Sequence, residues 1–118
     1  MAHPHKTVFL RLYLTEAAMI GPGKAALLEG IAATGSIAAA GRAMGMSYKR
    51  AWSLIEETNA MFAEPLVLSA RGGPGGGGAR LSPAGKRVLA LYRGIEAKAA
   101  EATEAEVAAL KAMLAAPE

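Results

Sequence analysis

The sequence predicts a mainly α-helical domain with one small β-hairpin, and three observations support this prediction. A short helical segment is joined through a tight turn at Gly45 to a longer amphipathic segment that begins at Ser47. Two stretches rich in β-formers then flank a glycine-rich loop. A long alanine-rich helical region follows from Pro83. This order is typical of a winged helix-turn-helix with a long C-terminal dimerisation helix.

The N-terminal elements are predicted from β-formers, turn residues and helical spacing. Residues 8–14, VFLRLYL, partly alternate and favour a short strand. The Gly-Pro-Gly sequence at 21–23 is a turn whose proline opens the first helix, and Gly35 ends that helix. We expect Ser36 to cap the second helix, IAAAGRAM, which ends at Gly45.

The turn between the second and third helices needs special residues. Gly45 occupies the tight turn, where a positive φ is often required. Gly41 lies where the two helices approach most closely, so that only a small side chain fits there. We therefore expect these two glycines to allow close packing of the helix pair.

The third helix is predicted to start at the capping residue Ser47 and to end before Pro65. Its larger residues share one face, and we expect that face to contact the core. That face comprises Tyr48, Ala51, Trp52, Ile55, Asn59 and Phe62. The alternatives for the two aromatic rings are core packing and contact with a nucleic acid. Core packing is favoured for Trp52, and the choice stays open for Tyr48.

The tail is predicted to be helical from Pro83 to about Ala116. One apolar stripe comprises Val88, Tyr92, Ile95 and Ala99, and a second comprises Val107, Leu110 and Leu114. The sequence Thr-Glu-Ala-Glu at 103–106 matches a capping box, so one continuous helix and two helices are both open.

The composition limits what the chain can do. The 118 residues are expected to form one compact unit, with residues 1–82 as the winged domain and 83–118 as a helical dimerisation segment. There is no cysteine and no aspartate, and His3 and His5 are the only histidines. A Ser-His-Asp triad and a zinc–thiolate site are excluded, and we expect no metal, no cofactor and no enzymatic activity.

No apolar run approaches the ~20 residues that span a bilayer, and the N-terminus lacks a signal run. A cytoplasmic protein with no membrane contact is expected.

Charge is unevenly distributed along the chain. Residues 36–87 contain seven Lys or Arg and three Glu, whereas residues 94–118 contain two Lys and five Glu. The basic middle indicates a polyanion-binding face, and the acidic tail indicates a segment that lies elsewhere.

The loop GGPGGGG at 72–78 has two candidate roles. A Walker-type phosphate loop requires glycine and Ser/Thr at positions that Arg80 and Arg87 occupy here. The loop joins two strand-like segments, Leu66–Arg71 and residues 79–81, so the sequence favours a wing that brings Arg71 and Arg80 to a DNA backbone. A disordered linker remains the alternative.

Two longer stretches carry a family resemblance. TGSIAAAGRAMGMSYKRAWSLI at 34–55, followed by GGPGGGGARLSPAG at 72–85, resembles the N-terminal domain of the ModE family of molybdate-responsive transcription regulators. The S-Y-K-x-A-W sequence together with the glycine wing carries the match, which runs across roughly residues 20–95. The resemblance implies a winged-helix homodimer that binds double-stranded DNA. Because the sequence stops at Glu118, we expect no direct molybdate binding.

A recognition helix enters the major groove with its N-terminal residues on base edges. The predicted DNA-binding residues are accordingly Ser36, Ser47, Tyr48, Lys49, Arg50, Ser53, Arg71 and Arg80, and the predicted dimerisation residues are Val88, Tyr92, Ile95 and Ala99. Lys49 and Arg50 are suited either to guanine acceptors or to phosphates, and the sequence does not decide between them. The alternative function is a winged-helix module that docks onto another protein without binding DNA.

Overall fold

The computed structural model describes residues 8–69 and 78–116 of the chain. The chain is mainly helical, with two small antiparallel hairpins, β1–β2 and β3–β4. In chain order the elements are β1 Leu12–Tyr13, β2 Met19–Ile20, α1 Pro22–Thr34, α2 Ile37–Ala43, α3 Tyr48–Met61, β3 Val67–Ser69, β4 Ala79–Leu81, α4 Pro83–Ala102 and α5 Glu104–Ala112.

The N-terminal strand is shorter than predicted and belongs to a hairpin that the sequence did not indicate. Only Leu12–Tyr13 of residues 8–14 is strand, and it pairs with Met19–Ile20. The chain turns back at Thr15. Its hydroxyl oxygen accepts hydrogen bonds from the amides of Ala17 and Ala18, at 3.2 and 3.1 Å. This local turn stops the strand before it can lengthen.

Both predicted serine caps of α2 and α3 are confirmed. The Ser36 hydroxyl accepts a hydrogen bond from the Ala39 amide at 3.0 Å, and the Ser47 hydroxyl accepts one from the Arg50 amide at 3.1 Å. Each bond satisfies an amide that has no partner within its helix. The starts of the second and third helices are therefore set by local chemistry.

The turn between α2 and α3 is built as expected. Gly45 has φ +75°, in the left-handed region where a side chain is strained. A Cβ added at Gly41 would lie 2.8 Å from the Cβ of Ala51, so the two helices touch at this point. Gly35, with φ +71°, ends α1 as predicted.

Two buried clusters hold the fold together. The larger one joins α1, α2, α3 and the hairpin β3–β4, and consists of Leu27, Leu28, Ile31, Ile37, Ala40, Ala51, Ile55, Leu66, Val67 and Leu81. The smaller one joins β2, α1 and α4 through Ile20, Ala25 and Tyr92. Val88 and Leu89 contact both clusters, so the first half of α4 packs against the helical core.

The second hairpin is shorter than predicted on one side. Strand β3 begins at Val67 rather than at the predicted Leu66, covers Val67–Ser69 among the described residues, and pairs with β4 in the register Val67↔Leu81. The Ala79 amide donates to the carbonyl of Gly35 at 2.9 Å and ties the hairpin to the end of α1. The loop tip and Arg71 lie outside the described residues.

The helical tail consists of two helices. Ser82 caps α4 by accepting from the Gly85 amide at 3.0 Å, and its hydroxyl also donates to the Pro65 carbonyl at 2.7 Å. The capping box expected at Thr103 is not formed, because the Thr103 hydroxyl instead donates back to the Ala99 carbonyl at 2.8 Å. Within residues 8–69 and 78–116, no helix is long and apolar enough to cross a membrane.

Candidate nucleic-acid interface

Helix α3 presents two chemically different faces. Ala51, Ile55 and Thr58 are buried against the rest of the domain. On the opposite side, the N-terminal half of the helix exposes a run of polar groups, Ser47, Lys49, Arg50 and Ser53. The predicted DNA-binding residues in this half of α3 are therefore exposed to solvent. Ser36 differs from them, because it is half-buried and its hydroxyl is engaged as the α2 cap.

The two aromatic residues of α3 have different environments. Trp52 is half-buried and packs against the core, as the sequence favoured. Tyr48 is 57 % exposed, so it does not pack in the core, which was one of the two alternatives that the sequence left open for it. Its ring stacks on Trp52 with centroids 6.5 Å apart and an interplanar angle of 16°. Tyr48 is the first residue of the helix, and Trp52 lies one turn later on the same face.

The cations of α3 are available to an outside partner. Lys49 and Arg50 are exposed, and within the described parts of the chain neither one forms an ion pair. Glu57 approaches a different cation, Lys24, at 3.8 Å between Oε2 and Nζ. The first half of α3 therefore carries uncompensated positive charge, which favours an anionic partner.

Asn59 is a positioning residue whose role the sequence analysis missed. Its Oδ1 accepts from the amides of Leu66 and Val67 at 2.8 and 3.0 Å, and its Nδ2 donates to the Val67 carbonyl at 3.1 Å. These bonds fix β3 against the last turns of α3. The available signal was an amide side chain on an otherwise apolar helical face, where a buried polar group needs partners.

The hairpin β3–β4 places Arg80 on its exposed side, opposite Leu68 in the pairing register. The neighbouring residue Ala79 is held by Gly35, so the base of the hairpin has a defined position relative to α1. Arg71, the other predicted backbone contact, is outside the described residues.

The predicted dimerisation residues do not all face solvent. Tyr92 is 2 % exposed, and Val88 packs against both core clusters. Ala99 is half-buried, whereas Ile95 is 41 % exposed. Any surface that α4 offers to a second copy is therefore made by Ile95 and its exposed neighbour Leu91, and not by Tyr92, which the chain itself buries.

Tyr92 also has a perturbed acidity. Burial has the largest effect and the nearby Glu96 carboxylate the next largest, and both raise the pKa of its hydroxyl above the ordinary value. The hydroxyl donates to the Leu10 carbonyl at 2.6 Å and so links α4 to the N-terminal segment.

On the same helix, hydrogen bonds to Glu29 and Glu96 raise the pKa of Arg93. The Arg93 guanidinium lies 3.0 Å from Glu29 through Nε and 2.7 Å from Glu96 through one terminal nitrogen. The bond to Glu29 ties α4 to α1, and the bond to Glu96 lies within α4. In the parts of the chain that the structure describes, no three histidine, cysteine, aspartate or glutamate residues lie close enough together to hold a metal ion.

The chain is similar in sequence to bacterial regulators and molybdenum-pterin-binding proteins. It is 48 % identical over 84 residues to the molybdenum-pterin-binding protein MopB of Rhodobacter capsulatus, a match covering 71 % of this chain and 31 % of MopB. It is 41 % identical over 85 residues to the DNA-binding transcriptional dual regulator ModE of Escherichia coli strain K12, covering 72 % of this chain and 32 % of ModE. These proteins are its relatives.

A third relative extends the match. The chain is 41 % identical over 103 residues to the molybdenum-pterin-binding protein MopA of Rhodobacter capsulatus, covering 85 % of this chain and 39 % of MopA. No family model matches the chain. The chain spans about a third of the length of the curated relatives that it matches. The resemblance to ModE proteins is thus confirmed by these relatives, and the expected lack of direct molybdate binding stays a prediction.

Proposed function

We propose that the chain is a sequence-specific DNA-binding transcription regulator of the ModE family, built on a winged helix-turn-helix. The order α1, α2, α3 and hairpin supports this assignment, as does the positive φ of Gly45 between α2 and α3. The relative whose name describes DNA binding and transcriptional regulation covers 72 % of this chain.

The observation that carries the proposal is the exposed polar face of α3. Its N-terminal half places Ser47, Lys49 and Ser53 in solvent on a helix whose opposite face is buried. A helix of this kind fits the major groove, where side chains from its first turns reach base edges. Tyr48 belongs to the same surface, since its ring is exposed and held by Trp52.

The hairpin β3–β4 acts as the wing in this proposal. Arg80 contacts a backbone phosphate from its exposed position on β4. Arg71, on the other side of the glycine loop in the sequence, remains the second predicted phosphate contact. Ser36 also stays a predicted contact, because as the cap of α2 it brings the amides of that helix's first turn towards the phosphate.

A second copy completes the binding unit. Exposed apolar side chains lie along the helical tail, namely Leu91, Ile95, Leu110, Met113 and Leu114. Their burial against the same surface of a second chain removes apolar area from water and gives a two-fold dimer. Two α3 helices then face successive major grooves, about 34–36 Å apart, and favour a palindromic operator.

The test is DNA binding measured over a range of salt concentrations. A duplex selected from a random library, labelled for fluorescence anisotropy, should bind the wild-type chain with an affinity that falls steeply as salt rises. Lys49→Ala should cost about 1–3 kcal/mol on the selected duplex and reduce discrimination against other sequences. Lys98→Ala, a change at an exposed lysine of α4, is the matched control and should leave binding unchanged.

The docking-module alternative makes the opposite prediction. An apolar protein interface depends little on salt, and a chain of that class enriches no duplex sequence from the library. Failure to select any duplex, together with unchanged behaviour of Lys49→Ala, would overturn the DNA-binding proposal.

A further inference from the structure

A cleft lies between the N-terminal hairpin, the start of α1 and the first half of α3. Its volume is about 360 Å³, and it is lined by Arg11, Met19, Gly21, Pro22, Gly23, Lys24, Met46, Arg50 and Leu54. The function proposed above leaves this cleft without a role. It opens beside the face of α3 that the proposal turns towards DNA, since Arg50 belongs to both.

The charged groups of the cleft all have the same sign. Among the described residues, the ionisable side chains that line it are Arg11, Lys24 and Arg50, and no carboxylate is among them. Lys24 is 9 % exposed, and its Nζ donates to the Met19 carbonyl at 2.8 Å and lies 3.8 Å from Glu57. Its charge is therefore fixed in the wall of the cleft and partly balanced.

The two arginines have their guanidinium groups free for a ligand. Both are exposed, and in the described stretches of the chain neither forms an ion pair. The stem of Arg11 crosses the start of α1, because a Cβ added at Gly21 would lie 3.2 Å from the Cγ of Arg11. The absence of a side chain at Gly21 gives Arg11 its place at the edge of the cleft.

Of the two neighbouring cations of α3, Arg50 lines the cleft and Lys49 does not. Arg50 and Leu54, one helical turn apart, both line the cleft, whereas Lys49 and Ser53 lie about 100° around the helix. Lys49 is not among the residues that line the cleft with Arg11. The two side chains that the sequence treated as equivalent face different surroundings.

We propose that Arg11 and Arg50 together clamp one phosphate of the DNA backbone at this cleft, and that Lys49 is left to contact base edges. The inference rests on the DNA-binding function proposed above. Two guanidinium groups that line one cleft, one from the N-terminal segment and one from α3, match the several oxygens of a phosphate, which arginine binds in a bidentate manner. The apolar walls from Met19, Met46 and Leu54 lower the local dielectric constant and strengthen the attraction.

The clamp makes Arg11 a DNA contact outside the helices and the wing. It extends the footprint to the N-terminal hairpin, so that the backbone is held on both sides of α3. A phosphate contact adds affinity on every sequence and carries no base information.

The test compares Arg11→Ala and Arg50→Ala with Lys49→Ala on two duplexes, the selected operator and a shuffled sequence of equal length. Each arginine variant should lose affinity equally on both duplexes. A whole phosphate contact corresponds to about eightfold in affinity at 0.1 M salt, so each loss should be at most about eightfold per bound chain, since the other arginine still holds the phosphate. The slope of log affinity against log salt should fall by at most about 1 per chain. Arg11→Gln is a second charge-removing variant, and equal thermal midpoints show that each variant is folded.

Lys49→Ala should instead lower the ratio of operator to shuffled affinity, and Lys98→Ala should change neither quantity. A fall in that ratio for Arg50→Ala means that Arg50 contacts a base, and this overturns the clamp. Unchanged salt slopes for both Arg11 variants also overturn it, while the DNA-binding proposal stands. A wild-type chain that binds no duplex overturns both proposals.

The source of the phosphate is tested by titrating inorganic phosphate into the wild-type chain and into Arg11→Ala. The amide resonances of Gly21 and Gly23 report on the cleft. Weak shifts that disappear when the operator is bound support the shared site. Tight binding of inorganic phosphate that depends on Arg11, with DNA affinity unaffected by Arg11→Ala, overturns the assignment to DNA and identifies a free-anion site.

Discussion

Replacing Tyr92 with phenylalanine removes one hydrogen bond and leaves the buried ring in place. The ring is 2 % exposed, and its hydroxyl donates to the Leu10 carbonyl at 2.6 Å. A net hydrogen bond of this kind contributes about 0.5–1.5 kcal/mol, and the stranded carbonyl adds to the loss. Because 1 kcal/mol corresponds to about 3–6 °C for a chain of this size, Tyr92→Phe should melt several degrees lower at pH 7.

The same substitution has a pH signature. Burial and the Glu96 carboxylate raise the pKa of Tyr92 in the folded chain above its unfolded value of about 10. A raised tyrosine pKa means that the folded state holds the proton more tightly. Its contribution to stability is therefore complete below pH 10 and is lost as the pH rises above that value. Tyr92→Phe lacks this contribution, so the stability difference between the two proteins should shrink above pH 10.

The assay is urea unfolding followed by circular dichroism, from pH 7 to pH 11, on wild type and variant in parallel. The two proteins differ only at position 92, so the difference in stability between them isolates the Tyr92 hydroxyl. Equal stability at pH 7, or a difference that stays constant through pH 11, would refute the buried hydroxyl and its bond to Leu10.

Three further predictions concern packing, the hairpin and self-association. Gly85→Ala should destabilise the chain by about 1–3 kcal/mol in thermal unfolding, because a Cβ there would overlap the Leu66 carbonyl. Gly94→Ala is the matched control: a Cβ there would have no atom within 4 Å, so the substitution should stabilise α4 by about 0.5–1 kcal/mol. Asn59→Ala should cost about 2–4 kcal/mol in urea unfolding by leaving the amides of Leu66 and Val67 without partners, and a loss below about 1 kcal/mol would contradict that role. Ile95→Glu should shift the chain towards monomer in sedimentation without lowering the thermal midpoint of the monomer, and an unchanged mass distribution would count against α4 as the dimer surface.

The parts of the fold that the sequence predicted depend on local chemistry. Ser36 and Ser47 were identifiable as caps because a hydroxyl satisfies amides within its own first turn. Gly45 was identifiable because a tight turn requires a positive φ that other residues resist. In each case the interacting atoms lie within four residues, so the signal is contained in a short window.

The parts that the sequence missed depend on distant partners. The hydroxyl of Ser82 donates to the Pro65 carbonyl, and Asn59 fixes a strand seven and eight residues later. Tyr92 reaches Leu10, 82 residues earlier. A helical stripe shows that Tyr92 faces something apolar, but not whether this is the chain itself or a second copy, because both produce the same periodicity.

The candidate site likewise contains features that the sequence predicted and features that it did not. Spacing on α3 identified its exposed polar residues, since burial of one face leaves the other to solvent. It did not separate Arg50 from Lys49, because their difference comes from the hairpin and α1, which place Arg11 and Lys24 beside only one of them. The role of a cation on a recognition surface depends on what lies across from it, and that is a property of the folded chain.

The bond between Tyr92 and Leu10 also bears on the clamp. Leu10 is the residue before Arg11, so α4 holds the backbone next to one of the two proposed phosphate contacts. The other contact, Arg50, is fixed by the core through Ala51 and Ile55 on the same helix. The distance between the two guanidinium groups therefore depends on how α4 packs against α1 and the N-terminal segment. Since α4 also carries the exposed Leu91 and Ile95, the helix proposed to join two chains is the one that positions Arg11 against the DNA backbone.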